Sequence, residues 1–180
     1  MSALEEQGHV WLLKAEASTL QEFKSALQDA FRVAAEGDLG HPLDEPIPSD
    51  EDIEQSFNTA GAVTYWVMAG AERAGGAVVV IDQVSGRNTL SFFFIATRQQ
   101  SRGLGLEAWK AIEREFPLTK VWETVTPYFE KRNIHFYVNR CGFKIVDFYN
   151  KYHPDPHQHS GRNHQEDDDD EMFGFEKIMV

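Results

Sequence analysis

The 180 residues contain a single cysteine, Cys141, so no internal disulfide can form and the fold must rest on burial and hydrogen bonding. A lone cysteine fits a reducing compartment. Cations are also scarce: 17 Lys and Arg stand against 29 Asp and Glu, for a formal charge of -12. That balance sets the chain against phosphate backbones and anionic lipid, so neither nucleic acid nor membrane is an expected partner. No stretch reaches the ~18 to 20 apolar residues of a membrane helix, and the amino terminus lacks the basic-then-apolar pattern of a secretory signal. The expectation is a soluble, cytoplasmic protein. No internal repeat and no linker divides the chain, and 42% apolar content suffices for one core that buries roughly 70% of the unfolded surface. One domain over residues 1–180 follows.

The acidic excess is localised. Asp44, Glu45, Asp50, Glu51, Asp52 and Glu54 form one run and Glu166 to Glu171 another, and neither contains a Lys or Arg. Without these two runs the chain is neutral, a balanced body with two acidic flaps. The first run is either an exposed, dipole-favoured helix start or an acidic wall beside a cationic ligand.

Periodicity gives the order of elements. His9 to Ala17 is bounded like a strand. Leu20, Phe23, Leu27, Phe31 and Ala34 then recur at helical spacing, with Thr19 and Glu22 placed as a capping box and Gly37 as a stop. Prolines and glycines between Gly37 and Pro48 make a loop before a short helix from Ser49. From Ala62 to Ile95 the chain is rich in Val and aromatics, and glycines cut it into three strands of an antiparallel meander. Ala108, Ile112 and Phe116 mark a helix ended by Pro117, KVWETVT a strand, and Ile134, Tyr137, Val138 and Cys141 a further helix stopped at Gly142. FKIVDFY and MFGFEKIMV are the last strands, separated by the polar loop 151–171. The strand-helix-strand units of the second half imply parallel neighbours. The fold class is therefore α/β, a mixed seven-stranded sheet with about four helices on its two faces.

One stretch carries chemistry. In FFFIATRQQSRGLGLEAWKAIEREF a strand runs into Gln100, Ser101, Arg102, Gly103, Leu104 and Gly105, and a helix starts at once. Glycines at a helix amino end let backbone N–H groups approach an anion, and the dipole adds attraction. The loop lacks the Lys-Ser/Thr of nucleotide-binding loops and the third glycine of dinucleotide sites. It resembles the Gln/Arg-x-x-Gly-x-Gly/Ala loop of the GCN5-related N-acetyltransferases (GNAT family), which holds the pyrophosphate of acetyl coenzyme A. About thirty residues later NIHFYVNRCGFKIVDFY resembles that family's Asn-x-x-x-Tyr helix followed by Gly-Phe and a strand. The resemblance covers roughly Leu90 to Tyr149 and implies a GNAT-like sheet whose middle strands, here SFFFIAT and KVWETVT, splay apart around the pantetheine arm.

Residue by residue, the resemblance implies that Gln100, Ser101, Arg102, Gly103, Leu104, Gly105 and Leu106 bind the pyrophosphate through backbone N–H groups. It also implies that Ile95 offers backbone hydrogen bonds to pantetheine and that Asn133 and Phe136 lie beside the arm. Tyr137 matches the tyrosine that protonates the leaving thiolate. Each residue has a plainer reading: Tyr137 is also on an apolar stripe, Asn133 is a good capping residue, and Cys141 reads as buried filler.

The implied activity is acetyl-CoA-dependent N-acetyl transfer, and direct transfer needs a neutral amine. An unperturbed alkylamine of pKa about 10.4 is almost wholly protonated at pH 7, a penalty of roughly 4 to 5 kcal/mol. The strand SFFFIAT contains no acid. Glu123 on KVWETVT is the nearest candidate base, though it could equally face a helix-covered layer. Six consecutive acids in the 151–171 loop would attract a cationic acceptor such as a polyamine, an aminoglycoside or a basic peptide, or they are simply a solvated flap. His153, His157, His159 and His164 share that loop, but their spacing matches no zinc signature and no metal is expected. The acceptor would be a small-molecule or peptide amine, the protein a monomer or homodimer. The alternative function is a non-catalytic CoA-binding sensor or regulatory module.

Overall fold

A computed structural model describes residues 9–100, 103–157 and 171–180. The Val- and aromatic-rich stretch divided by glycines forms β2 (Ala62–Ala69), β3 (Glu72–Val80) and β4 (Arg87–Ile95), an antiparallel meander. β1 (Val10–Lys14) adds antiparallel to β2. On the other side β5 (Val121–Pro127) runs parallel to β4. β6 (Lys144–Tyr149) and β7 (Met172–Ile178) complete one seven-stranded mixed sheet in the order β1-β2-β3-β4-β5-β7-β6. Only one of the two strand-helix-strand units yields parallel neighbours. β7 inserts antiparallel between β5 and β6, because the final hairpin turns its second strand inward onto the unpaired edge of β5.

Helices cover both faces. α1 (Leu20–Leu39) and α2 (Asp50–Asn58) lie on one, with Phe23, Leu27 and Ile53 against Trp66, Val78 and Phe94. α3 (Leu104–Glu115) and α4 (Lys131–His135) lie on the other, and α4 continues as a π-helical stretch, Phe136–Cys141. There Trp109, Ile112, Tyr137 and Cys141 pack against Tyr65, Val79, Leu90, Trp122 and Phe175. The two-residue pleat of β3 makes the division visible: Val78 belongs to the first core, Ala77 and Val79 to the second. Phe23 is the hub of the first core, in edge contact with Phe57, Trp66 and Phe94 at 5.1–5.7 Å. A Cβ at Gly76 would stand 2.3 Å from its ring, so glycine is what lets the ring lie on the strand.

Two helix boundaries differ from expectation. α1 runs through Gly37 and stops at Gly40, whose φ is +74°, since one glycine inside a helix costs only about 1 kcal/mol. No capping box forms at Thr19: its hydroxyl donates to Glu16 O at 2.9 Å and accepts from Trp66 Nε1 at 3.2 Å. Ser49 does cap α2, accepting from Asp52 N at 3.1 Å. Of the first acidic run, Asp50 and Glu54 face Lys24 of α1 at 3.5 and 2.9 Å, and Asp50 also accepts from Gln28 at 2.7 Å. These acids fasten α2 to α1.

Cys141 lies in the second core, and burial pushes its thiol up to about 12. The thiolate is the reacting species. At pH 8 the native protein should therefore react with an aromatic disulfide about a thousandfold more slowly than the urea-unfolded chain, and equal rates would place Cys141 outside the core.

Candidate active site

β4 and β5 begin as neighbours and then part. Their parallel register consists of Arg87↔Val121, Asn88↔Trp122 and Thr89↔Glu123. Beyond it Thr124 Oγ1 donates to Leu90 O at 2.9 Å, and a shift in register between β3 and β4 leaves Ser91 as an extra residue between Leu90 and Phe92. From Phe92 to Ile95, β4 pairs only with β3, and from Thr124 to Pro127, β5 pairs only with β7. Two rows of backbone groups thus face one another across a gap with no ladder between them. Unpaired strand edges are adhesive, so the gap is suited to an extended ligand carrying amides.

The gap opens toward the glycine loop. After β4 the chain makes a 3-10 turn over Thr97–Gln99, and buried Gln99 ties it to Glu72 through a 3.0 Å hydrogen bond. Gln100 turns back to donate to Ile95 O at 3.1 Å. Gly103 is the N-cap of α3 with φ +72°, and among the described residues no side chain caps the first turn. The N–H groups of that turn are left to an external acceptor, and the helix dipole favours an anion there. Among the described residues, its chain neighbours apart, nothing lies within 4 Å of where a Cβ on Gly103 would stand. This uncapped first turn beside open space fits the pyrophosphate cradle that the loop motif implies. Leu104 and Leu106 turn inward to the cores, and Ser101 and Arg102 lie outside the described residues.

α4 closes the third side. Phe136 stacks on Phe93 of β4, centroids 5.8 Å apart and planes at 7°, and a Cβ on Gly105 would meet its ring at 3.2 Å. Phe136 therefore joins β4, the start of α3 and α4. Tyr137, 7% exposed, is packed by Phe143 and Phe175 with centroids at 5.5 and 5.7 Å. Burial raises its pKa far above the ordinary phenol value, with the nearby Cys141 and Glu130 adding to the rise and a hydrogen bond with Thr124 opposing it. Tyr137 thus stays protonated, and it sits beside Thr124, where the β4–β5 ladder ends. Asn133 lies within α4 and donates through Nδ2 to Glu130 Oε2.

Glu123 lies elsewhere. Trp122 and Thr124 are buried toward the α3–α4 face, so the alternation of the strand turns Glu123 to the opposite face. There Arg87 bridges Glu123 and Glu176. Glu130 is the carboxylate that the sequence reading missed. It stands at the start of α4, in the electrostatic reach of Tyr137, and its own pKa is raised to about 7 by burial and by Asp38 at the end of α1, against the lowering bond from Asn133. The signal was present in the spacing: Glu130, Asn133 and Tyr137 are at i, i+3 and i+7 of one helix face.

Of the 151–171 loop, His153 accompanies Asp147 at 3.2 Å and stacks on Tyr149. His159, His164 and the acids before Glu171 lie outside the described residues. Among the described residues no group of three or more His, Cys, Asp or Glu could hold a metal, and no helix is long and apolar enough to cross a membrane.

Comparison with known proteins agrees with this geometry. Residues 21–143 match the model of the Acetyltransferase (GNAT) family. The chain is 51% identical over 170 residues to the uncharacterized protein YrkN of Bacillus subtilis (strain 168), covering 92% of this chain and 91% of that one. Its fold is similar to a Bacillus subtilis acetyltransferase crystallised in complex with CoA, with TM-score 0.65 and 16% identity over 96% of this chain and 100% of that one. It is also similar to the ribosomal-protein-S18-alanine N-acetyltransferase of Escherichia coli, with TM-score 0.66 and 12% identity over 96% of each chain. At these identities the two structures speak for the fold.

The raised pKa of Glu130 has a cost in stability. Its folded-state value of about 7 stands above the 4.5 of the free side chain, so the folded state holds this proton more tightly. Stability linked to the group is fully present below pH 4.5 and is lost as pH rises through 7. At 1.36 kcal/mol per pKa unit the loss is at most roughly 3 kcal/mol. Glu130→Gln should therefore melt at a higher temperature than the parent at pH 8 and show no such gain at pH 4. A gain of equal size at both would mean that Glu130 is not desolvated.

Proposed function

Because the chain belongs to the GNAT acetyltransferase family, we propose that it is an enzyme that moves the acetyl group of acetyl coenzyme A to a primary amine by direct attack on the thioester. The observation that carries this reading is the ladder between β4 and β5, which stops after three pairs beside the uncapped first turn of α3. The backbone N–H groups of the first turn of α3 and the loop Gln100 to Leu106 hold the pyrophosphate. Unpaired groups of β4 up to Ile95 hold the pantetheine arm, with Phe136 and Asn133 lining its other side. Bound there, acetyl coenzyme A supplies an activated carbonyl and a leaving thiolate.

Tyr137 donates the proton to that thiolate. Its burial keeps the hydroxyl neutral across the working pH range, and Thr124, fixed to Leu90 O, holds it at the apex of the gap. The phenol is then reprotonated from water. No nucleophile on the protein is needed, and Cys141, buried and with its thiol held protonated, is not one.

The acceptor is a cationic amine, either a small polyamine or aminoglycoside-like molecule or a peptide amine. Net charge supports this, since the acids outnumber the cations by twelve, and Asp38 lies close enough to Glu130 to act on it electrostatically.

Free-thiol release from acetyl coenzyme A, followed across a panel of polyamines, aminoglycosides and peptide amines, tests the reading. Turnover with at least one amine is expected. Tyr137→Phe should lower kcat by about a hundredfold or more with little change in cofactor affinity. Tight cofactor binding without turnover on any amine would favour a CoA-binding module instead, and full turnover in Tyr137→Phe would return that residue to the core.

A further inference from the structure

The proposed reaction begins from an ammonium ion, and a group at the gap must take its proton before the nitrogen can attack. Five described carboxylates near the sheet and α3 already have partners. Glu123 and Glu176 share Arg87, Glu107 is paired with Lys110 and Glu113 with Lys177, and Glu72 accepts from Gln99. Glu130 differs. Its recorded bond is to the neutral Asn133 amide, and among the described residues no cation pairs with it. Its side chain is only partly exposed.

Its position suits the task. β5 ends at Pro127 and α4 begins at Lys131, and Glu130 N donates to Pro127 O at 3.1 Å, so Glu130 is held at the end of β5 where the two strands are apart. It is close enough to Tyr137 of α4 and to Asp38 in the last turns of α1 to interact with both electrostatically. It is thus the described carboxylate in electrostatic contact both with the proton donor and with the helix that covers the opposite face. We propose that Glu130 is the general base: its carboxylate takes the proton from the acceptor ammonium, Asn133 orients it, and Asp38 adds negative charge that draws the cation in. This rests on the acetyltransferase reading above.

The step balances. One N–H bond of the ammonium breaks and its proton goes to a Glu130 oxygen. The freed lone pair forms the N–C bond to the acetyl carbonyl carbon, the C–S bond breaks, and the sulfur takes a proton from Tyr137. The second proton lost by nitrogen leaves through water and restores Tyr137, and Glu130 releases its own proton to solvent. The net products are an amide, free thiol and one proton. The groups that face Glu130 are Asp38 of α1 and Asn133 and Tyr137 of α4, while its sequence neighbours Lys131 and Arg132 are exposed. A carboxyl with a pKa raised to about 7 is well matched to proton transfer near neutrality.

The test is kcat/KM against pH for the parent, Glu130→Gln, Asp38→Asn and Glu123→Gln with the best amine, beside acetyl coenzyme A affinity by calorimetry. The parent should show an acid limb with a midpoint near pH 7. Glu130→Gln should lose that limb and about a hundredfold or more in kcat, with cofactor affinity within twofold of the parent. Asp38→Asn should keep the limb and move its midpoint to lower pH, because the charge that raises Glu130 has gone. A limb that survives in Glu130→Gln, a midpoint that Asp38→Asn leaves in place, or a limb lost in Glu123→Gln alone would overturn the assignment while the acetyltransferase reading stands. A parent that turns over no amine would overturn both.

Discussion

The ladder between β4 and β5 ends after three residue pairs, and the rest of the site depends on that ending. Two parallel strands that stayed paired would bury their backbone groups in each other and leave no room for a ligand. Here Thr124 spans to Leu90 O at the last point of contact, Ser91 is squeezed out of register with β3, and the strands separate beyond. The groups that the proposed reaction uses are arranged around the opening. α3 presents its uncapped first turn at the wide end, Tyr137 stands at the narrow end, and Phe136 pins α4 to both Phe93 and the glycine of α3's first turn. The two cores pack the sheet on both of its faces. Phe23 and its aromatic partners fix β2 to β4 on one face, and the cluster around Trp109, Trp122 and Phe143 fixes β5 against α3 and α4 on the other.

Much of this was legible in the sequence, for reasons that are local. The meander could be read because glycines interrupt a Val- and aromatic-rich run, and α1 because its apolar residues keep one period for about four turns. Its end was misplaced at Gly37 because a single glycine costs a helix only about 1 kcal/mol, and the left-handed residue that stops it comes at Gly40. The capping box failed because Trp66, 47 residues away in sequence, engages the Thr19 hydroxyl. The insertion of β7 between β5 and β6 depends on the open edge of β5, which no local pattern announces. The same holds for the π-helical stretch: Tyr137 O accepts from both Gly142 N and Phe143 N, a widened turn that places Tyr137 and Cys141 together in the core.

The site was legible in its backbone parts and less so in its titratable ones. Gly103 and Gly105 carry their meaning in spacing, since glycine adopts the left-handed N-cap easily and a Cβ at Gly105 would already stand 3.2 Å from the Phe136 ring. Carboxylates carry no such mark. Glu123 looked suitable because it lies on a splayed strand, but its value depends on which face it takes and on Arg87, which is 36 residues away. Glu130 lies on no strand, and its character comes from burial and from Asp38, brought up by a different element. The first acidic run was similarly ambiguous until Lys24 was seen to answer two of its members.

The central claim, that the gap and the α3 amino end form one binding site for acetyl coenzyme A, is tested most directly by calorimetric titration of the parent and of Gly103→Val. Left-handed φ at Gly103 costs a side chain roughly 1 to 2 kcal/mol of stability, which the folded domain can be checked for by its melting temperature. The branched side chain would stand in the open space beside the first turn of α3. The account predicts measurable binding by the parent and a loss of tenfold or more in affinity in a folded Gly103→Val. Unchanged affinity in that folded variant, or no binding by the parent, would contradict it.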